Sequence, residues 1–172
     1  MMSQKNKKKL IFLVHAGGSH TNLKAVQNAI NDGKINAEIS VVVSDDQPLP
    51  DFEKVSPDYI CLAGWKKIIP EELINKYKIL NIHPGLIPET VNGKVSAPDN
   101  TEALWNKGMY TDKAISNFLD QKSTYAGSSI HFLTLEFDFG PVLDRVFEKI
   151  EIGDTVESLY ARLKKKENEL YI

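Results

Sequence analysis

Two hydrogen-bonding side chains stand close together in the middle of the chain. Asn81 and His83 are one residue apart and follow the apolar pair Ile79–Leu80. In an extended strand, residues i and i+2 point to the same face, so these side chains would lie side by side. Pro84 has no backbone N–H and would end the strand there. Taken alone, the pair slightly favours a turn stabilised by side-chain caps; the alternative is a catalytic site.

The catalytic alternative needs a third group, and the loop carboxylate of Asp138 is the candidate. A histidine, an amide donor and an acid suit a reaction in which an oxyanion forms and a proton moves, with the nucleophile brought by the substrate. Other chemistries lack their motifs, since the chain has no G-x-S-x-G and no metal-ligand spacing. The four histidines, His15, His20, His83 and His131, are not at metal-ligand spacing, and the single Cys61 adds little.

The elements that would position these groups alternate along the first half of the chain. Apolar, β-branched runs predict strands, and apolar residues at helical spacing predict helices between them. The predicted strands are 10–14, 38–44, 59–62 and 78–82, and the predicted helices are 23–30 and 70–77. Residues 45–55 contain two prolines and are predicted to form a loop. This alternation predicts an α/β fold with a doubly wound, mostly parallel sheet.

The second half of the chain has a different pattern. A short helix is predicted around Thr101–Asn106, and a longer helix from Thr111 as N-cap. Two strand-like runs, 128–134 and 142–152, predict an antiparallel hairpin at the edge of the sheet. A final helix would begin with a capping box formed by Asp154 and Glu157.

Composition limits the class of protein. The chain has 172 residues with a net charge of -2, so no global basic field favours nucleic acid. No apolar run approaches the ~20 residues of a membrane span. The single cysteine, Cys61, lies in an apolar run and is predicted to be buried. These features predict one cytoplasmic domain spanning 1–172, with a frayed N-terminal segment at 1–8.

A glycine-rich turn follows the first predicted strand. Gly17 and Gly18 lie between that strand and the helix that begins near Leu23. Backbone N–H groups at a helix N-terminus form a ready anion site. The alternative is that the glycines only permit a tight turn, and the spacing alone supports both equally, because it matches neither a Walker loop nor a complete G-x-G-x-x-G.

Several blocks of the chain resemble one family. Residues 81–88, N-I-H-P-G-L-I-P, resemble the N-I-H-P-S-L-L-P motif of the folate-dependent formyltransferases. Four further blocks resemble that family in the same order. They are G-S-H-T-N-L at 18–23, P-D through L-A-G-W at 57–65, G-S-S-I-H-F at 127–132 and E-F-D-F-G-P-V at 136–142. The resemblance is strongest to the phosphoribosylglycinamide formyltransferases, and it implies their Rossmann-like fold.

The resemblance also implies roles for individual residues. Asn81, His83 and Asp138 would be catalytic, 10-formyltetrahydrofolate would be the formyl donor, and no metal would be needed. The substrate phosphate would bind at Ser19, His20, Thr21 and Asn22, and other substrate contacts would come from Pro84, Gly85, Lys164 and Glu167. The folate would bind at Trp65, Lys66, Lys67, Ile68, Ile69, Leu133 and Phe137. His131 would be structural, and the Ile87–Pro88 bond is a candidate cis peptide.

The implied acceptor is the primary amine of a phosphorylated small molecule, glycinamide ribonucleotide in purine biosynthesis. The alternatives are a sugar-nucleotide N-formyltransferase and a non-catalytic folate- or nucleotide-binding module. The protein would act as a monomer or a homodimer, without nucleic acid or membrane partners.

The chain departs from the family pattern in ways that bear on the acceptor. His20 stands where the family has a small glycine, and Phe139 replaces a glycine beside Asp138. The fold is expected to be reduced by one helix–strand unit after Asp46. Residues 90–125 are longer than, and unlike, the usual loop.

Overall fold

A computed structural model describes residues 6–172 of the chain. The described residues form eight strands and five helices. They group into two compact units, which we call unit 1 and unit 2. Unit 1 runs up to Asn81 and includes Tyr171 and Ile172, and unit 2 is Ile82–Leu170. One domain spanning 1–172 stays a prediction.

Unit 1 contains the predicted alternation of strands and helices. Its elements are β1 (Lys8–Val14), α1 (Thr21–Asn31), β2 (Ala37–Ser44), α2 (Phe52–Val55), β3 (Tyr59–Ala63), α3 (Glu71–Lys76) and β4 (Ile79–His83), whose last two residues belong to unit 2. The strands pair in parallel in the order β2-β1-β3-β4. Their carboxyl ends therefore share one edge, where open α/β sheets bind ligands.

The core of unit 1 is built on its continuous apolar runs. Ile11 and Phe12 in β1 and Ile60 in β3 are fully buried, as expected for strands covered on both faces. Cys61 is also buried, which confirms its predicted packing role, and burial raises the pKa of its thiol to about 12. Tyr171 belongs to this unit because its hydroxyl donates to the Leu62 carbonyl at 2.6 Å.

Unit 2 has two antiparallel strand pairs and two helices. Its elements are β5 (Val95–Ser96), β6 (Glu102–Ala103), α4 (Thr111–Asp120), β7 (Tyr125–Phe132), β8 (Val142–Lys149) and α5 (Val156–Glu169). β5 pairs with β6, and β7 pairs with β8. Ile115 and Phe118 of α4 pack with Leu159 and Leu163 of α5 in a fully buried cluster. The predicted α/β class, mostly parallel with an antiparallel pair, is confirmed.

Several local predictions are wrong. Residues 101–106 do not form a helix; Glu102 and Ala103 form β6 instead, because strand pairing with Val95 and Ser96 overrides the local pattern. A single helical turn, α2, interrupts the predicted loop 45–55, since the Asp51 side chain caps it. The capping box of α5 is Thr155 with Ser158.

The predicted frayed segment 1–8 differs from the structure at its last residue. Lys8 of the segment 1–8 already belongs to β1, where it pairs with Ala37, and its Nζ contacts Asp58 at 2.7 Å. Residues 1–5 of that segment lie outside the described part of the chain. The Ile87–Pro88 bond is trans, since no peptide bond among the described residues is cis. None of the described helices has the length and apolar character that crossing a membrane requires.

Candidate functional site

His83 and Asp138 lie together in unit 2. His83 ends β4 and is 2% exposed, and Asp138 comes from the loop between β7 and β8. The Nδ1 atom of His83 lies 3.5 Å from Oδ1 of Asp138, whose side chain is 15% exposed. The sequence predicted this pairing of residues 55 positions apart, and the structure places them within ion-pair distance. Their catalytic roles stay predictions.

The segment Trp105–Gly108, for which the sequence predicted no role in the site, contacts both residues of this pair. The Nε2–H of His83 donates to the Trp105 carbonyl at 2.7 Å. The indole Nε1–H of Trp105 donates to the Asp138 carbonyl at 2.9 Å, and the Gly108 N–H donates to Asp138 Oδ2 at 2.7 Å. No spacing rule points to these contacts. The only sequence feature that could have indicated a role for this segment is the tryptophan itself, which is followed by the polar residues Asn106 and Lys107.

The ionisation of His83 is set by two opposing effects. Burial is the larger effect and lowers the pKa of His83 because a charged ring is poorly solvated there. The Asp138 charge and the Trp105 carbonyl raise the pKa of His83. Each ring nitrogen faces an acceptor, so a doubly protonated ring satisfies both contacts.

His131 lies in the same unit and is fully buried. Its Nδ1 is 3.1 Å from the Phe132 carbonyl, so that nitrogen carries the proton. Burial, followed by the charge of His83, lowers the pKa of His131 to about 4. A neutral ring held inside β7 agrees with the structural role expected for this residue.

The turn after His83 is held by hydrogen bonds between its backbone groups and two side chains. The Pro84 carbonyl accepts from Asn106 Nδ2 at 3.2 Å, and the Gly85 carbonyl accepts from Ser129 Oγ at 2.7 Å. The Ile87 N–H donates to the same Ser129 oxygen at 3.0 Å. Pro84 and Gly85, predicted as substrate contacts, thus act in this structure as a braced turn.

Gly85 is also required by space. A Cβ atom at this position would lie 1.8 Å from the Trp105 carbonyl oxygen and 2.9 Å from His83 Nε2. A residue with a side chain would therefore force the turn away from His83.

Lys164 and Glu167 form a pair on α5. Glu167 is 2% exposed; Oε1 accepts from Ser128 Oγ at 2.6 Å, and Oε2 lies 3.0 Å from Lys164 Nζ. Both carboxylate oxygens are thus engaged inside unit 2. The predicted contacts of Lys164 and Glu167 with the substrate stay predictions. The burial of Glu167 argues against a direct contact between its side chain and the substrate.

Asn81 occupies the predicted position on β4, two residues before His83, and is half-buried. The strand confirms the extended geometry from which their common face was inferred.

The predicted phosphate loop lies in unit 1, between β1 and α1. His20 precedes the helix in the left-handed region, with φ 54°, a conformation that favours the glycine found there in the family. Its Nε2–H donates to the His15 carbonyl at 2.8 Å, and the Gly18 N–H donates to the same oxygen at 2.9 Å. Within the described residues, the buried oxygens Thr21 Oγ1 and Asn22 Oδ1 have no hydrogen-bond partner. Ser19 is exposed.

The predicted folate residues occur in both units. In unit 1, Trp65 is half-buried, and its buried Nε1–H has no partner within the part of the chain that the structure describes. Ile68 beside it is 91% exposed and Ile69 is buried. Lys66 and Lys67 are exposed.

In unit 2, Leu133 is half-buried and Phe137 is 66% exposed. An exposed aromatic side chain such as Phe137 offers apolar surface on which a flat ring can lie.

Metal chemistry has no support from the side-chain arrangement. Over residues 6–172, no group of three His, Cys, Asp or Glu side chains converges in a way that would hold a metal ion.

With this geometry described, comparison with known proteins identifies the family. Residues 49–172 match the sequence profile of the formyl transferase family, and the chain belongs to that family.

Its relatives include enzymes of one kind. The chain is 28% identical to the chloroplastic phosphoribosylglycinamide formyltransferase of Arabidopsis thaliana, over 96% of this chain and 63% of that protein. It is 26% identical to phosphoribosylglycinamide formyltransferase of Escherichia coli strain K12, over 74% of this chain and 52% of that protein. The chain therefore spans less than two thirds of the length of these relatives.

Solved structures support the fold. The glycinamide ribonucleotide transformylase 1 structure from Symbiobacterium toebii superposes with a TM-score of 0.76, at 21% identity. The match covers 98% of this chain and 85% of that one. The Rossmann-like formyltransferase fold predicted from the sequence is thus confirmed.

Proposed function

We propose that this chain transfers the formyl group of 10-formyltetrahydrofolate to the primary amine of a phosphorylated small molecule, glycinamide ribonucleotide. The observation that carries the proposal is the buried His83–Asp138 pair in a member of the formyl transferase family. The names of its relatives support glycinamide ribonucleotide as the acceptor.

The proposed chemistry assigns one task to each polar group. The folate donor supplies a formyl carbon that the acceptor amine attacks. The Asn81 amide and an N–H of His83 would then donate to the oxygen on which negative charge develops. One such donor contributes about 2.7–4 kcal/mol to the stability of a transition state. Asp138 would favour the protonated imidazole and help to pass the proton of the attacking amine to N10 of the folate. The bond between N10 and the formyl carbon would then break, and tetrahydrofolate would leave.

The present contacts of His83 define what must change during this reaction. Its nitrogens face Asp138 and the Trp105 carbonyl. To donate to a substrate oxyanion, the ring must exchange one of these acceptors for the substrate oxygen. The Nδ1 contact with Asp138 is the longer of the two, at 3.5 Å against 2.7 Å.

The predicted folate residues carry groups that suit the donor. Trp65 offers an unpaired indole N–H, and Ile68 and Phe137 offer exposed apolar surface. A folate carries both a flat ring system and polar edges, so these groups suit it. The phosphate of the acceptor would bind at Ser19–Asn22, where the N-terminus of α1 favours an anion.

Transfer of a labelled formyl group tests the proposal. The chain is incubated with 10-formyltetrahydrofolate carrying ¹⁴C in the formyl group, and with glycinamide ribonucleotide. Labelled formylglycinamide ribonucleotide is the expected product, and His83→Ala should remove it while the protein stays folded. If the label passes to an amino-sugar nucleotide and not to glycinamide ribonucleotide, the proposed acceptor is wrong and the chain is a sugar-nucleotide N-formyltransferase. Folate binding without transfer to either amine would support a binding module and overturn the enzymatic proposal.

A further inference from the structure

Asp45 connects three loops at the ligand-binding edge of unit 1. Its Oδ1 accepts from the Ala16 N–H at 3.0 Å, and its Oδ2 accepts from the His15 Nδ1–H at 2.7 Å. The Ala16 N–H, then the His15 ring, lower the pKa of Asp45, and the Lys66 N–H adds to this. Asp45 is 9% exposed. One carboxylate thus joins the segments that follow β1, β2 and β3.

Two of these three segments carry predicted ligand contacts. The β1 segment leads into Ser19–Asn22, and the β3 segment contains Trp65–Ile69. The backbone of Asp45 is itself held, because its N–H donates to the Val14 carbonyl at 2.9 Å. Asp45 is therefore a fixed point from which both loops are aligned.

His15 receives a defined orientation from this contact. Because Nδ1 donates to Asp45, Nε2 is the nitrogen left to meet another group. The ring is 31% exposed, and Nε2 lies 3.5 Å from the position that a Cβ of Gly17 would take, so it borders the glycine-rich turn. Asp45 contacts the His15 ring, and His20 contacts the His15 backbone carbonyl.

The turn itself is closed on His15. The backbone carbonyl of His15 accepts from the Gly18 N–H and from the His20 Nε2–H. Two later residues of the turn are therefore held by His15. Next to it, Thr21 Oγ1 is buried without a partner among residues 6–172, and a hydroxyl there can donate to an anion. A ring that carries protons on both nitrogens can donate to an anion through Nε2–H while Nδ1–H donates to Asp45.

We propose that His15 and Asp45 extend the acceptor site: His15 contacts the phosphate of the acceptor through Nε2, and Asp45 is the residue that positions it. This inference rests on the proposed function for the identity of the acceptor. It adds two residues that lie outside the predicted set Ser19–Asn22. The class of ligand is a phosphomonoester on a small polar molecule.

Ribose 5-phosphate is the probe, with ribose as the control that lacks the phosphate. The full chain is labelled with ¹⁵N-histidine, and the four imidazoles are assigned by single His→Gln variants. Ribose 5-phosphate should shift the ring nitrogens of His15 and leave those of buried His131 unchanged, whereas ribose should shift neither. His15→Gln should weaken ribose 5-phosphate binding by about tenfold or more, measured by calorimetry.

Asp45→Asn tests the positioning role. The amide would present N–H₂ or C=O to Nδ1, so the His15 tautomer signals should change, and binding should weaken. Asp46→Asn removes the same charge one residue later, where the exposed carboxylate accepts from Ser44, and should leave both unchanged. If Asp45→Asn does not fold, two measurements still test whether His15 contacts the phosphate. They are the ribose 5-phosphate titration of the wild type and the affinity of His15→Gln.

The outcomes separate this inference from the proposed function. Wild-type affinity in His15→Gln, or unmoved His15 signals on saturation with ribose 5-phosphate, would overturn the inference, even in an active formyltransferase. Binding that depends on His15, in a chain that transfers no formyl group, would support the phosphate contact and contradict the proposed function.

Discussion

The carbonyl oxygen of Trp105 lies 2.7 Å from Nε2 of His83, with the N–H of the ring pointing at it. Asp138 faces the other ring nitrogen, and the Trp105 indole donates to the Asp138 backbone. One tryptophan therefore holds both members of the candidate acid–base pair. The position of His83 therefore depends on Trp105 as well as on the strand that carries it.

Gly85→Ala should damage the site through this contact. The added methyl would lie 1.8 Å from the Trp105 carbonyl, so the turn or the tryptophan must move. We expect a loss of about 1–3 kcal/mol in the free energy of unfolding and a strong loss of formyl transfer. Chemical denaturation and the labelled-formyl assay measure the two effects.

Gly17→Ala is the stability control for that substitution. A Cβ there would make only ordinary contacts, the nearest at 3.5 Å. Its free energy of unfolding should stay within about 0.5 kcal/mol of wild type. Equal stabilities for the two variants would contradict the crowding described at Gly85.

Asp138→Asn should separate catalysis from folding. The amide keeps the shape of the carboxylate and can still accept from the Gly108 N–H, but it removes the charge that raises the pKa of His83. Formyl transfer should fall by about 10²-fold or more, with little change in thermal stability. Asp120→Asn, at the exposed end of α4, should retain wild-type activity. Retained activity in Asp138→Asn would remove Asp138 from the mechanism.

Ser129→Ala should loosen the turn that follows His83. The Ser129 hydroxyl donates to the Gly85 carbonyl and accepts from the Ile87 N–H. Its removal leaves two buried backbone groups without that partner. We expect a cost of about 1–3 kcal/mol in the free energy of unfolding, together with lower turnover.

Ser128→Ala is the matched comparison for Ser129→Ala, because Ser128 is equally buried but contacts Glu167 instead of the turn. It should lower stability while affecting turnover less than Ser129→Ala. If the two variants lose turnover equally, Ser129 has no particular role in placing His83.

His131 should make stability depend on pH. The pKa of the folded ring is about 4 and that of an unperturbed histidine is 6.5, so the unfolded chain binds the proton first as pH falls. Stability is therefore complete above about pH 6.5 and declines as pH falls toward about 4. From about pH 7 to about pH 5 this residue should account for about 2 kcal/mol of the decline.

The measurement is urea denaturation of wild type and His131→Gln at several pH values. Glutamine cannot titrate, so the variant should show a shallower decline over this range, whatever its absolute stability. Parallel curves for the two proteins would mean that the folded and unfolded chains bind the His131 proton equally, so the pKa of the ring is not lowered by folding.

The main elements were predictable because their signals are local. The apolar runs of β1 and β3 and the spacing of Ala114, Ile115 and Phe118 in α4 reflect burial of one face or both, which periodicity records directly. Where pairing between distant residues decided the outcome, the local pattern failed. The segment 101–106 became β6 because β5 supplied a partner strand.

In the candidate site, too, some contacts were predictable from the sequence and others were not. The pairing of His83 with Asp138 was predicted, because both lie in motifs that resemble the family's. The contacts of Trp105, Ser129 and Asp45 were not predicted, since each joins residues far apart in the chain through backbone groups. Every residue except proline has the same backbone donor and acceptor, so the residue type does not indicate such a contact.

The sequence by itself determined the α/β class, the family and the close spacing of Asn81 and His83, because these depend on residue type and on the two-residue repeat of a strand. Only the tertiary structure decided that His83 is buried between Asp138 and the Trp105 carbonyl, and that Asp45 ties together the loops after three strands. Both arrangements arise when the chain brings distant loops to the same strand ends. That proximity is a property of the packed fold, and local sequence patterns do not record it.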